Sequence, residues 1–128
     1  MPDTRIAATG KHVLLITADA SDMTALGDII AAQGHRVLKA DSGLRGIDLA
    51  WQQQPDLIVV NFATLGMSSL DVVEMLRSDD DTRDIPIIAI TPGTQESWAQ
   101  IGPGAYVCAT KSDAAAAFGN LIRLLTTG

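Results

Sequence analysis

At 128 residues the chain has the length of one compact domain, able to bury a core of its own. With 47% hydrophobic and 19% charged residues it is not a disordered polymer, and a formal charge of −6 excludes broad attraction to nucleic-acid phosphates. Cys108 is the single cysteine, so no internal disulfide and no Cys-x-x-Cys metal pair can form, which points to the reducing cytoplasm.

Residues 1–10 lack the apolar stretch of a secretory signal and read as a flexible N-terminal tail, leaving 11–126 as the domain. Val13–Ile16 is a short apolar run, expected as a strand, and Asp19, Ser21 and Asp22 after it are suited to capping a helix. That helix carries Met23, Leu26, Ile29 and Ile30 at helical spacing and stops at Gly34. Arg36–Ala40 can extend into a second strand. Asp41-Ser42-Gly43 then turns the chain into a second helix bearing Leu44, Ile47, Ala50 and Trp51.

Leu57–Val60 is β-branched-rich and does not alternate, as expected of a central strand covered on both faces. Ser68 or Ser69 can cap a third helix with Leu70, Val73 and Leu76 on one face, followed by an acidic solvated loop, Asp79–Asp81. Ile87–Ile90 is the fourth strand. The proline- and glycine-containing stretch from Thr91 to Gly104 allows only a short or irregular helix. Ala105–Ala109 makes a fifth strand, and Asp113 caps a last helix with Phe118, Leu121, Ile122 and Leu125. No apolar run approaches the ~20 residues that span a bilayer, so no membrane association is expected.

This alternation predicts an α/β fold with a parallel sheet and helices on both faces. Ligand sites in such sheets form at the carboxyl ends of the strands, here Thr17-Ala18-Asp19, Asn61, Thr91 and Lys111. Those positions, in the segments VLLITADAS, AAQGHRV, PDLIVVNFATLGM, TRDIPIIAIT and ATKS, resemble the response-regulator receiver family of two-component phosphorelays, from about Lys11 to Leu125. The resemblance implies a flavodoxin-like doubly wound sandwich of five βα units, with a sheet of order 2-1-3-4-5 and a remodelled fourth helix.

A working receiver carries an acidic pair after its first strand, an acceptor aspartate ending the third, a hydroxyl after the fourth and a lysine after the fifth. The matching residues here are Thr17 and Ala18, Asn61, Thr91 and Lys111, so the hydroxyl and lysine are retained and three carboxylates are missing. An amide is a poor nucleophile, and magnesium binds through carboxylates and water, so neither phosphoryl acceptance nor a metal nor any cofactor is expected. Asp19 is the nearby acid; it reads as a helix cap or turn residue, or, with a one-residue shift of register, as a metal ligand. Thr91 and Lys111 can equally be a turn hydroxyl and a surface lysine.

Cys108 takes the place of the family's switch aromatic, with Tyr106 two residues earlier, and Ser112 stands where proline usually follows the lysine. Trp98 and Tyr106 are candidate interface residues. His12 and His35 have no third partner for a catalytic or metal site and read as surface residues. The expectation is a non-enzymatic pseudo-receiver that signals by binding a protein partner. A functional receiver phosphorylated in a non-standard way and a flavin or small-ligand binder of the same topology are the alternatives.

Overall fold

The structure is a computed structural model that describes residues 11–61, 69–90 and 105–108, with 69–70 and 105–108 described as backbone alone. In chain order it runs β1 (His12–Ile16), α1 (Ala20–Ala32), β2 (Arg36–Ala40), α2 (Gly43–Gln53), β3 (Leu57–Asn61), α3 (Ser69–Ser78), β4 (Ile87–Ile90) and β5 (Ala105–Cys108). The five strands form one parallel sheet of order β2-β1-β3-β4-β5, in agreement with the expected topology. The fourth and last helices expected from the sequence lie outside the described residues.

Side chains along a strand point alternately to the two faces of a sheet, and the core divides accordingly. Leu14 and Ile16 of β1, Ile58 and Val60 of β3, and Ile87 and Ala89 of β4 pack with Ile47 and Ala50 of α2 and Val72, Val73 and Leu76 of α3. Val13 and Leu15, Leu57 and Val59, and Ile88 and Ile90 face the other way, onto Leu26 and Ile30 of α1. Burial on both faces explains why β3 and β4 read as continuous apolar runs without alternation.

The local stops follow from side-chain chemistry. The Asp19 carboxylate accepts the Asp22 N–H at 2.9 Å and caps α1, and Ser42 Oγ accepts the Arg45 N–H at 3.2 Å to cap α2. Gly34 follows α1 with φ +89°, a left-handed conformation that glycine adopts without steric cost.

Three expectations need correction. Asp22 is not a cap: it lies inside the first turn of α1 and is buried, while Asp19 does the capping. Only half of the α2 stripe is interior, because Ile47 and Ala50 are buried whereas Leu44 and Trp51 are 68% and 44% exposed. His35 is half-buried rather than a surface residue, and its Nδ1 accepts the Lys11 N–H at 3.1 Å. Burial, then the neighbouring Lys11 charge, lowers the His35 pKa, against a weaker opposing pull from Asp56.

Two stability predictions result. A Cβ at Gly46 would lie 2.7 Å from Cγ1 of the fully buried Ile16, with Cδ1 closer still. Gly46→Ala should therefore cost about 1–3 kcal/mol in urea unfolding, against the slight gain alanine brings to an open helix site. Because the folded-state pKa of His35 is depressed, its contribution is complete above its unfolded value, about 6.5, and is lost as pH falls through the lower folded value. His35→Gln should remove that part of the pH dependence when melting temperatures are compared across pH 5–8.

Candidate functional site

The alternation that divides the core also assembles the site. Odd-numbered residues of β1 and β3 face α1, so Thr17, just beyond β1, and Asn61, the last residue of β3, emerge on that side at the carboxyl edge of the sheet. They come level because Ile16 pairs with Val60, one residue before each. Both are buried, at 0% and 1% exposure.

Above them stands the first turn of α1. Asp22 lies four residues before Leu26 and eight before Ile30, on the stripe that α1 turns toward the sheet, and it is 4% exposed. The Asn61 side-chain amide donates to Asp22 Oδ2 at 2.9 Å and to Thr17 Oγ1 at 3.1 Å. Thr17 Oγ1 also lies 3.3 Å from the Asp19 N–H, and the Thr17 N–H donates to the Ala40 carbonyl at 3.0 Å. One small network thereby joins β1, β2, β3 and the start of α1.

The remaining sequence candidates are placed as follows. Ala18 is exposed and brings no polar side-chain atom. Asp19 is half-buried, with its carboxylate engaged at the helix cap. Tyr106 and Cys108 lie in β5, in register with Ile88 and Ile90, without described side chains. Thr91, Trp98, Lys111 and Ser112 lie outside the described residues.

Asp22 is the site residue that sequence reasoning missed. A first-turn aspartate reads as a cap or as an anion favoured by the helix dipole. The signal that separates it from those roles is its spacing to Leu26 and Ile30, which marks the buried stripe.

Among the described residues the donor set is poor in the carboxylates a magnesium ion needs. Among the described residues no three His, Cys, Asp or Glu side chains group to hold a metal, and Asp22 is the only buried carboxylate, already accepting from the Asn61 amide. Magnesium dehydrates reluctantly and is held by carboxylates, with water and phosphate oxygens completing its shell.

No family model matches the sequence. The chain is 34% identical over 101 residues to the polar-differentiation response regulator DivK of Brucella anthropi, an alignment covering 76% of this chain and 82% of that protein. Its backbone matches the chemotaxis response regulator CheY4 of Vibrio cholerae with a TM-score of 0.80 at 19% identity, over 91% of this chain and 99% of that one. It matches the receiver domain of the sensor histidine kinase PA1611 of Pseudomonas aeruginosa, solved with a magnesium ion in its active-site cleft, with a TM-score of 0.79 at 21% identity, over 91% and 98% of the two chains. At these identities the two structural likenesses establish a shared flavodoxin-like fold.

The Asn61–Asp22 contact can be tested by exchanging its ends. Asn61→Asp sets two carboxylates face to face in a buried site, and should cost about 2–3 kcal/mol at pH 7. The deficit should shrink on acidification, since repulsion raises the folded-state pKa of one carboxyl above its unfolded value and protonation then relieves it. The double exchange Asp22→Asn with Asn61→Asp restores a donor facing an acceptor and should recover more than half the loss in denaturant unfolding.

Proposed function

We propose, from the premise that this chain belongs to the response-regulator receiver family, that it is a phosphorylation-independent member which transmits signals through protein–protein contact. The observation that carries this reading is the buried Asn61 amide, committed through Nδ2 to Asp22 and Thr17 at the end of β3. Phosphoryl transfer needs a nucleophilic oxygen in line with the donor and a cation to offset charge developing on the transferred group. Asn61 supplies a neutral amide whose nitrogen lone pair is delocalised into its carbonyl, and the positions of the acidic pair are Thr17 and Ala18.

What the family residues do here is then structural. Thr17 accepts hydrogen bonds, Asp19 caps α1, and Asp22 holds Asn61. In this reading Thr91 and Lys111 are retained for loop structure rather than phosphate contact, Cys108 stands at the switch-aromatic position in place of an aromatic, and Trp98 and Tyr106 belong to a partner-facing surface. The domain comprises 11–126 and uses no metal or cofactor.

The test is incubation with acetyl phosphate and magnesium followed by intact-mass measurement, with a parallel beryllofluoride titration read by two-dimensional amide NMR. The expected outcome is no added phosphoryl mass and no saturable movement of the Asn61 amide. A phosphoryl adduct on Asp19, Asp22 or any other carboxylate would overturn the proposal, as would beryllofluoride shifts centred on Asn61, Thr91 and Lys111.

A further inference from the structure

The core leaves one apolar surface unused. On α2, Leu44 and Trp51 are seven residues apart and share a flank of the helix, and Met75 of α3 lies beside them; the three are 68%, 44% and 40% exposed. They are the exposed large hydrophobic side chains among the described residues. Two adjoining depressions, of about 390 and about 430 Å3, both include Trp51 and Met75, so the flank is continuous between the helices. Contiguous exposed apolar surface rimmed by polar groups marks a binding face more often than scattered leucines do.

The rim determines the occupant. Asp48 lines one depression, and Glu74 and Asp79 line the other. The cation lining the rim, Arg45, has its Nε 3.6 Å from the carboxylate of Asp41, just before α2. A second copy docking symmetrically would bring two acidic rims together, with Arg45 the one cation lining either depression, and the charge of −6 adds to the repulsion. An anionic lipid surface or nucleic acid is repelled for the same reason.

We propose that the α2–α3 face is the docking site for a basic amphipathic helical segment of a partner protein, with an apolar stripe seated on Leu44, Trp51 and Met75 and lysine or arginine flanks answering Asp48, Glu74 and Asp79. The groove between two helices suits a third helix that presents anchors at i, i+3, i+4 and i+7. Trp51, common to both depressions, is the central anchor, and the rim carboxylates set orientation and association rate. This inference rests on the reading that the domain signals by binding, but it fails separately: beryllofluoride reports at Asn61, and docking reports at Leu44, Trp51 and Met75.

The experiment is an amide NMR titration of the isotopically labelled chain with a synthetic helical peptide of leucine, tryptophan and lysine in that pattern. A matched peptide with glutamate for lysine serves as the second probe. The lysine peptide should give saturable shifts at Leu44, Asp48, Trp51, Glu74 and Met75, while the glutamate peptide leaves them unmoved. Leu44→Ser with Met75→Ser should weaken binding by about tenfold, and Asp48→Asn with Glu74→Gln should reduce its salt dependence. All four positions are exposed, and an unchanged melting profile checks that the variants remain folded. Absence of saturable shifts, shifts confined to the Asp79–Asp81 loop, indifference to the Leu44 and Met75 substitutions, or equal binding of the glutamate peptide would overturn the proposal. So would concentration-dependent shifts on this face without peptide, which would assign it to a second copy of the chain.

Discussion

A buried carboxylate must be given donors, and at the carboxyl edge of this sheet the Asn61 amide supplies one to Asp22. An unsatisfied carboxylate at such depth would cost several kcal/mol, a large share of the roughly 5–15 kcal/mol by which a domain of this kind is stable. That hydrogen bond makes the positions at the end of β3 and the start of α1 interdependent. It also ties the first crossover to the middle of the sheet, because Thr17 shares the same amide and is itself bonded to the end of β2.

Asparagine and aspartate are nearly the same shape, so the backbone at position 61 need not change with the exchange. The side chain's demands on its neighbours do reverse. An aspartate there presents only acceptors when ionised and calls for cations and N–H groups, whereas asparagine brings an NH2 group that calls for acceptors. Asp22 Oδ2 and Thr17 Oγ1 are such acceptors. The Asn61 side chain is thus matched, as a donor, to the two acceptors that face its NH2 group.

The fold was legible in the sequence because its strands are short apolar runs and its helix stops are chemical: Leu57–Val60 and Ile87–Ile90 fall within observed strands, and Gly34 ends α1 as expected. Asn61 was legible as a site position because the strand end fixes it. Asp22 was not, since one aspartate in a first turn satisfies a capping rule and a buried-stripe rule equally until the sheet lies beneath it. Leu44 and Trp51 were misplaced for a geometric reason. Gly43, Gly46, Ile47 and Ala50 form the buried arc of α2, and Leu44 and Trp51 lie roughly 90–110° around the helix from its centre. Hydropathy alone assigns both to the interior, but the small side chains of Gly43, Gly46 and Ala50 let the helix approach the sheet closely, which turns the large residues outward.

The closeness of α2 to the sheet links the core to the exposed face. Gly46 leaves no room for even a methyl group above the Ile16 side chain, so α2 lies closely against β1 with Leu44 and Trp51 on its outer flank. α3 is held by Val72, Val73 and Leu76 in the same core, which fixes Met75 beside Trp51. The apolar flank is therefore an enforced feature of the packing, presented by two helices whose positions the sheet dictates. An apolar surface whose side chains are carried on helices packed into the core loses less conformational freedom on being covered than one carried on a loop, and low ordering cost is what allows a modest apolar area to give useful affinity. The strand-end network of Thr17, Asp22 and Asn61 and the exposed flank of Leu44, Trp51 and Met75 thus lie on different parts of one parallel-sheet fold, each placed by the alternation of the strands beneath it.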